Sequence, residues 1–389
     1  MASEDLLRSF LSRLPKAELH SHLSGSIRDS TLKELIDLLP GTAESPLRKV
    51  LDDAKKTRSL HDSFEIFSVI HKTVTTSALV ERVVREMIED NERDGVSYLE
   101  MRTTPRSLTD FQFKEGESST RVISPVKGEC GVELAQKEDE DPSVDASLNH
   151  YVETVACAIA EATADKKIQV RLILSVNRTS SLANIERIVK LAVAWRRHSA
   201  LVVGLDVSGD PTKGQMAPIL ELLQREASSL LKVCIHAAET MNVAETEAIL
   251  DFKPQRLGHC CVLSEASRRR MLESRIPLEL CPTSNTLTLH LPNFSFHPQT
   301  QCWLQNGYPL AICTDDSGVF NVTLTDELVL VSKTHNLSLR QAASLACSAF
   351  DFAFCDDGTR QELAVNARQR AEELLRELES DSLSFCAIV

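Results

Sequence analysis

Apolar, β-branched runs recur at wide intervals along the 389-residue chain, and segments with a helical period of apolar positions lie between them. Alternation of this kind is typical of α/β proteins built from consecutive βα units. The runs predict eight strands, at 17–23, 96–103, 168–176, 202–207, 232–236, 256–259, 277–281 and 309–314. The predicted helices include 31–39, 63–75, 78–93, 148–164, 185–197, 216–227 and 243–250. Two further helices, 322–334 and 338–354, precede a charged tail helix at 361–379.

Eight βα units in one chain of this length predict a (β/α)8 TIM barrel with extra helices. The length fits one large domain or two medium ones, and the unbroken alternation favours a single domain over 1–389. One region interrupts the alternation, because 107–145 is long, polar and acidic. We interpret it as a surface insertion, partly mobile, at the active-site end of the barrel. Its composition fits a lid and a passive loop alike.

Polar side chains follow every predicted strand, at the end where barrels of this class carry their active sites. They are His20 and His22 after the first strand, Thr104 and Arg106 after the second, Asn177 and Arg178 after the third, 206–210 after the fourth, His236 and Glu239 after the fifth, His259 after the sixth, 283–285 after the seventh, and Asp315 and Asp316 after the eighth. Chance placement would not repeat this arrangement eight times. The sequence therefore predicts one functional site at the C-terminal ends of the strands.

The pair His20 and His22 has the spacing of a metal chelate on a strand. Residues i and i+2 leave the same face of a strand about 7 Å apart, whereas on a helix they would point roughly 200° apart. Together with His236 and Asp315 from later strands they offer four nitrogen and oxygen ligands without a thiolate. Such a set suits one Zn²⁺ per chain, although Fe²⁺, Co²⁺ and Mn²⁺ remain open. We expect a barrel of the metal-dependent hydrolase type.

Three more groups fit a hydrolytic reaction at this metal. Glu239 lies three residues after His236, at the start of a helix, and is placed to act as an acid. His259 can orient or deprotonate a water molecule, and Asp316 can hydrogen-bond it. Each has an ordinary structural alternative: a carboxylate at a helix N-terminus, a core histidine, or a solvated turn. Their joint occurrence at matching strand ends favours the catalytic interpretation.

Composition restricts the partners and the compartment. The formal net charge of −13 argues against a general nucleic-acid or anionic-membrane surface, since both need a basic face. Eleven irregularly spaced cysteines and an N-terminal stretch without an apolar run predict reduced thiols in a cytoplasmic protein. The terminal Cys386-Ala387-Ile388-Val389 has the shape of a prenylation box, but its last residue and the acidic segment before it argue against lipidation.

Four motifs carry a resemblance to a known family. KAELHSHL at 16–23, HAAE at 236–239, LGH at 257–259 and CTDD at 313–316 resemble the adenosine and AMP deaminase family. The resemblance implies a zinc-activated water that attacks the six-position of a purine and displaces an amine. It further implies that Glu239 protonates the neighbouring ring nitrogen, while His259 and Asp316 position the hydroxide.

Within that family the chain looks most like the subgroup that acts on N(6)-methyl-AMP, giving IMP and methylamine. The likeness lies in LEMRTTPR at 99–106, DVSGDP at 206–211 and TDDSGVF at 314–320. It implies a monomer with a small purine nucleotide as its partner. The substrate-binding residues implied are His22, Ser24, His71, Thr104, Arg106, Asn177, Gly209 and Asp316.

Two positions bear on the nucleotide's phosphate. Adenosine deaminases carry an aspartate where this chain has Ser24, so a carboxylate that would repel a 5′-phosphate is replaced by a hydroxyl donor. Arg106 can pair with a phosphate bidentately. The subgroup usually has asparagine in place of Ser24 and aspartate in place of Asn177, which leaves the exact substrate open.

Other functions remain to be weighed. Free adenosine or adenine is the alternative substrate. Another metal hydrolase, such as an amidase, is a wider alternative, but no lysine follows the fourth strand to bridge two metals. A catalytically inactive purine-binding protein is the remaining possibility. Such a protein would have lost a metal ligand or the acid, and this sequence retains all of them.

Overall fold

The computed structural model of the chain describes residues 3–38, 51–52, 60–112, 124–126, 132–135, 145–227 and 229–386. Most of the predicted insertion 107–145 lies outside these ranges, as do residues 387–389 of the C-terminal cysteine box. Within the described ranges, no helix is both long enough and apolar enough to cross a membrane.

Eight parallel strands form one sheet, and all eight correspond to predicted strands. They are β1 (Lys16–His22), β2 (Val96–Thr103), β5 (Gln169–Asn177), β6 (Val202–Ser208), β7 (Lys232–Ala237), β8 (Arg256–His259), β9 (Leu278–Leu280) and β10 (Leu310–Ile312). Their order in the sheet is the order of the chain, which confirms the barrel prediction. A separate antiparallel pair, β3 (Ser124–Val126) and β4 (Val132–Ala135), lies in the predicted insertion.

The barrel closes between its first and last strands, near their C-terminal ends. The Asp315 amide donates to the His20 carbonyl at 2.8 Å, and the His22 amide donates to the Asp315 carbonyl at 2.9 Å. Further along this seam the Glu18 carboxylate accepts from the backbone amides of His20, at 2.9 Å, and Thr314, at 3.0 Å. The buried Glu18 side chain thus accepts hydrogen bonds from backbone amides that would otherwise pair with a neighbouring strand.

Helices cover the outside of the barrel in the described ranges. Their bounds are Glu4–Ser12, Asp29–Asp37, Leu60–Thr73, Ser77–Arg93, Ala146–Thr163, Leu182–His198, Met216–Glu226, Val243–Phe252, Glu265–Ser274, Pro282–Thr288, Thr300–Gln305, Ser317–Phe320, Leu324–Thr334, Leu339–Ser348 and Asp357–Cys386. The segment predicted as one helix at 322–334 begins instead at Leu324. Asn321, at φ 55°, ends the short helix before it, and a capping box of Thr323 and Asp326 starts the next.

The chain returns to the barrel interior near its C-terminal end. The predicted helix 338–354 ends early, at Ser348, and a 3-10 helix, Ala349–Phe352, follows it. After this turn the Phe354 ring packs against Ile173, Val203 and Cys234. Gly204 makes room for this ring, because a β-carbon there would lie 2.9 Å from Phe354 Cδ2. These contacts come from the first half of the strands, so the ring fills the end of the barrel away from the predicted site.

Candidate active site

Three histidines and one aspartate converge at the C-terminal ends of the strands. The His20 Nε2 atom lies 3.2 Å from His22 Nε2 and 3.1 Å from His236 Nε2. His22 Nε2 and His236 Nε2 are 3.3 Å apart. The Asp315 Oδ1 atom lies 3.3 Å from His20 Nε2 and 3.5 Å from His22 Nε2. This is the ligand set predicted from the sequence, and its four ligand atoms lie within 4.8 Å of one another, forming a candidate metal site.

Two buried carboxylates fix the orientation of two of these imidazoles. His20 Nδ1 lies 2.7 Å from Glu279 Oε2, and His236 Nδ1 lies 3.1 Å from Asp206 Oδ1. An ionised carboxylate only accepts hydrogen bonds, so each Nδ1 donates and each Nε2 turns a lone pair towards the cluster. Burial lowers the pKa of His236, but the Asp206 carboxylate outweighs burial and raises it, so Asp206 makes this imidazole a stronger donor to a metal ion.

The spacing of the ligand atoms fits a zinc ion. Zinc binds histidine nitrogen at about 2.0–2.1 Å, and neighbouring ligands of a tetrahedron with that radius stand about 3.3 Å apart. The three Nε2 separations are 3.1, 3.2 and 3.3 Å. Three lone pairs this close repel one another, and a cation between them removes the repulsion. The residues present therefore fit the metal implied by the sequence motifs.

Arg102 joins the two supporting carboxylates beneath the cluster. Its Nη1 donates to Asp206 Oδ1 at 3.0 Å, and its Nη2 lies 2.5 Å from Glu279 Oε2. All three side chains are completely buried. Removing one member of a buried ionic network leaves the others uncompensated, at a cost of about 3–5 kcal/mol. One guanidinium thus sets the relative position of His20 and His236.

Left-handed backbone occurs at the ends of three strands around the site. The φ angles are 49° at Ala238, 63° at His259 and 62° at Asp315. Non-glycine residues in this region cost about 1–3 kcal/mol each and persist only where surrounding contacts hold them. At Asp315 those contacts include the Ser284 hydroxyl, which donates to Oδ2 at 2.7 Å. This conformation lets the chain turn directly at the strand end while the side chain faces the cluster.

Glu239 lies half-buried beside the metal set. Burial raises its pKa to about 7, and the nearby Asp315 carboxylate adds to the rise, while His236 opposes it. A carboxyl group with this pKa holds a proton in a large fraction of molecules at neutral pH and can give it up readily. Glu239 is not one of the four candidate metal ligands, so its carboxyl group is available to donate this proton.

His259 and Asp316 complete the polar floor of the site. His259 Nδ1 lies 3.0 Å from the Asn285 side-chain nitrogen, and burial holds the pKa of His259 well below its usual value, so the ring is neutral. Burial, followed by repulsion from Asp315, raises the pKa of Asp316 well above its usual value. The buried Asp316 Oδ1 makes no hydrogen bond within the described protein atoms. An orphaned buried oxygen beside a metal set is suited to a water or substrate group.

The metal set lies in a cavity of about 460 Å³, a volume within the range of about 300–1,000 Å³ of small-molecule sites. Both acids, His259 and most of the predicted substrate-binding residues line it. The latter are His22, Ser24, His71, Thr104, Asn177, Gly209 and Asp316. Gly209, at φ 108°, approaches Asn177 so closely that a β-carbon would lie 2.4 Å from Asn177 Oδ1.

Arg106 is the predicted substrate-binding residue that the cavity lining does not include. Its Nη2 donates to the Val74 carbonyl at 3.0 Å, and its guanidinium carbon lies 5.2 Å from the centre of the Tyr151 ring. It borders a small separate crevice that also includes Ser24.

Several functional candidates escaped the sequence analysis. Helix Leu60–Thr73 lines the cavity with Phe64, Phe67, Ser68 and Lys72, although only His71 was expected there. The supports Glu279 and Arg102 were also missed. A charged residue inside a short apolar run, as in Leu278–Leu280, was the available signal, because such a residue must find a partner in the barrel interior.

Comparisons with known proteins place this geometry in context. Residues 15–369 match a family model described as adenosine deaminase. The N6-mAMP deaminase of Arabidopsis thaliana is 35% identical over 355 residues, covering 91% of this chain and 96% of that protein. The N6-Methyl-AMP deaminase of Homo sapiens is 33% identical, covering 91% of this chain and 92% of that protein. A crystal structure of arabidopsis ADAL complexed with IMP is 32% identical, covers 95% of this chain and 99% of that chain, and superposes with a TM-score of 0.77.

Proposed function

The chain belongs to the adenosine deaminase family, and on that premise we propose that it hydrolyses N(6)-methyl-AMP to IMP and methylamine. The observation that carries the proposal is the His20, His22, His236 and Asp315 set with Glu239 beside it in one cavity. The chain is thus an aminohydrolase with a candidate metal site. The methylated nucleotide as substrate and zinc as metal are the parts proposed here.

The four ligands would hold the metal, and a bound zinc ion would lower the pKa of a nearby water to about 7. Neutral His259 is suited to orient that water by a hydrogen bond, because burial keeps its ring uncharged. Asp316, with an oxygen free of protein donors, is suited to hold the water in place. Glu239 would give its proton to the purine ring nitrogen beside the six-position. The water oxygen bonds to the six-position, the bond from that carbon to the amine nitrogen breaks, and the two protons of the water end on the departing amine and on Glu239.

Support for a nucleotide comes from the relatives and from the cavity wall. The two relatives above are named as N6-mAMP and N6-Methyl-AMP deaminases, and arabidopsis ADAL has been crystallised with IMP. In this chain Ser68, His71 and Lys72 form part of the wall, and none of the described acids pairs with the Lys72 ammonium. We propose that this helix face, together with the Ser24 and Thr104 hydroxyls, receives the phosphate.

A free nucleoside is the second candidate, and the position of Arg106 favours it. The guanidinium that was expected to bind the phosphate donates instead to the Val74 carbonyl. With the Arg106 Nη2 engaged there, a phosphate would rely on Lys72, a cation of the cavity wall that pairs with none of the described acids.

The deciding experiment measures kcat/KM for N(6)-methyl-AMP, AMP, N(6)-methyladenosine and adenosine, with zinc content determined on the same sample. We expect a preference of at least about tenfold for the methylated nucleotide, since one charged contact is worth roughly 1.4 kcal/mol or more. Equal activity on the nucleosides would reject the nucleotide preference. Turnover of none of the four by a zinc-loaded sample would reject the deaminase assignment.

The proposal also takes the protein as a cytoplasmic monomer. Nine cysteines of the described residues are free thiols, which supports a reducing compartment. Light scattering of the purified protein and fractionation of its source cells test these two points.

A further inference from the structure

The interior of the barrel beneath the metal set is ionic where most barrels of this class are apolar. Arg256, Glu279 and Glu100 are all completely buried there, beside the Arg102 network. The Arg256 Nε lies 2.5 Å from Glu279 Oε1, and its Nη2 is ion-paired with Glu100. Glu279 therefore receives one guanidinium on each oxygen, Arg102 on Oε2 and Arg256 on Oε1.

The C-terminal segment 349–354 supplies further partners of Arg256, beside the Leu19 carbonyl. Its Nη1 donates to the Phe352 carbonyl at 2.7 Å. Its guanidinium carbon lies 3.5 Å from the centre of the Phe354 ring, on the ring face. The Phe354 amide donates to Glu100, the other carboxylate that Arg256 holds. The Phe354 ring and the Phe352 carbonyl thus hold the planar guanidinium of Arg256 directly, and the Phe354 amide holds its partner Glu100.

A continuous set of contacts then leads from this segment to the metal set. The Phe354 ring contacts Arg256, Arg256 holds Glu279 Oε1, and Glu279 Oε2 holds His20 Nδ1 at 2.7 Å. Every side chain on this path is buried, so water cannot replace a lost contact. His20 has the shortest contacts to the other ligand atoms and is the ligand nearest the centre of the set.

We propose that Phe354 is a positioning residue for the metal site, acting through Arg256 and Glu279 on His20. Losing the ring removes the packing on one face of the Arg256 fork, which then depends on its ion pairs and backbone carbonyls alone, so the Glu279 carboxylate holds the His20 imidazole less rigidly. Partners of metal ligands typically change metal affinity by about 10–100-fold when they are altered. The inference concerns metal binding and does not depend on which purine is the substrate.

The chain offers a matched control within the same segment. Phe352 is partly buried against the main core, and Arg256 uses its backbone carbonyl, which Phe352→Ala retains. Both Phe354→Ala and Phe352→Ala remove one ring from segment 349–354, but only the first removes the ring over Arg256. Phe354→Leu provides a second variant that keeps most of the apolar volume and lacks the aromatic face.

The test measures the zinc dissociation constant of each folded protein by competition with a coloured chelator, alongside the melting temperature of the metal-free form. We expect Phe354→Ala to weaken zinc binding by at least about tenfold, Phe354→Leu by less, and Phe352→Ala by no more than about twofold. A merely structural role would lower the melting temperature of the metal-free protein without changing the affinity of molecules that remain folded. Unchanged zinc affinity in Phe354→Leu, or an equal loss in Phe352→Ala, would overturn the proposal.

Discussion

The carboxylate of Asp316 lies so close to Gly25 that a β-carbon built on this glycine would stand 1.7 Å from Asp316 Oδ1. Glycine is thus required at position 25 for steric reasons, since the neighbouring atoms belong to a buried side chain with little room to move. The contact fixes a buried oxygen that has no donor among the described protein atoms, on a residue that lines the cavity.

Gly25→Ala is therefore expected to displace Asp316 while leaving the four metal ligands in place. We predict a fall in kcat of at least about tenfold, because hydrogen-bonding groups that orient a reactant commonly contribute that much. Zinc content and kcat measured on the same sample check this. Gly358→Ala, at the start of the C-terminal helix, is the control and should behave as wild type. Wild-type kcat in Gly25→Ala would show that the site tolerates a shifted Asp316.

Glu239→Gln is expected to lower kcat by at least about 10²-fold with the metal retained, since an amide cannot supply the proton. The matched control is Glu265→Gln, which removes the same charge from an exposed position. Near-native turnover in Glu239→Gln would refute the acid role.

The pKa of Glu239 gives this prediction a pH dependence. The protonated form acts as the acid, and its pKa is raised to about 7, so the activity that depends on it is present below that pH and is lost above it. We expect kcat/KM to decline on the alkaline side of about pH 7, and the decline to be absent from the residual activity of Glu239→Gln. A pH profile from 5 to 9, recorded for both proteins at constant ionic strength, checks this. A wild-type rate that stays level up to pH 9 would assign proton donation to another group.

His236→Ala should lose zinc, because the side chain contributes one of four converging ligand atoms. In wild type, zinc at 100 times its dissociation constant should stabilise the folded form by about 2.7 kcal/mol, which raises the melting temperature. Elemental analysis and thermal melts with and without a chelator measure both effects. His198→Ala, on an exposed helix end, is the control. Full zinc occupancy in His236→Ala would remove His236 from the ligand set.

Lys72→Met tests the proposed phosphate contact. We expect kcat/KM for N(6)-methyl-AMP to fall at least about tenfold and that for N(6)-methyladenosine to stay within about twofold, because only the nucleotide carries the charge. Lys33→Met, which removes a lysine paired with Asp29 outside the cavity, controls for net charge. Equal effects on the two substrates would place the phosphate elsewhere, with Arg106 as the next residue to substitute.

The strand ends were predictable because two independent patterns coincide there. Strand periodicity locates the ends, and reactive side chains such as His20 and Asp315 stand at them, so the metal set follows from sequence positions alone. The direction of a long side chain is different. Arg106 follows β2 as expected, yet its guanidinium binds the carbonyl of Val74, the residue directly after helix Leu60–Thr73. No local pattern around Arg106 encodes where that residue lies.

The supports of the metal set were hidden for a related reason. Arg102 and Glu279 sit inside strands, where a charged residue looks like an interruption of the apolar run. Their function arises from pairing between β2 and β9, which meet only across the closed barrel. The position of Phe354 in the interior likewise depends on the space left by the missing side chain of Gly204, which the sequence does not reveal.

The closure of the barrel between β1 and β10 has a consequence for when the site can form during synthesis of the chain. Glu18 and Thr314, which meet across it, stand 296 positions apart in the chain. A ribosome releases the N-terminal region first, so His20 and His22 emerge long before Asp315. The complete chelate therefore becomes available only when nearly all of the barrel has been synthesised. A nascent chain that stalls before β10 should therefore leave the ribosome without the complete candidate metal site.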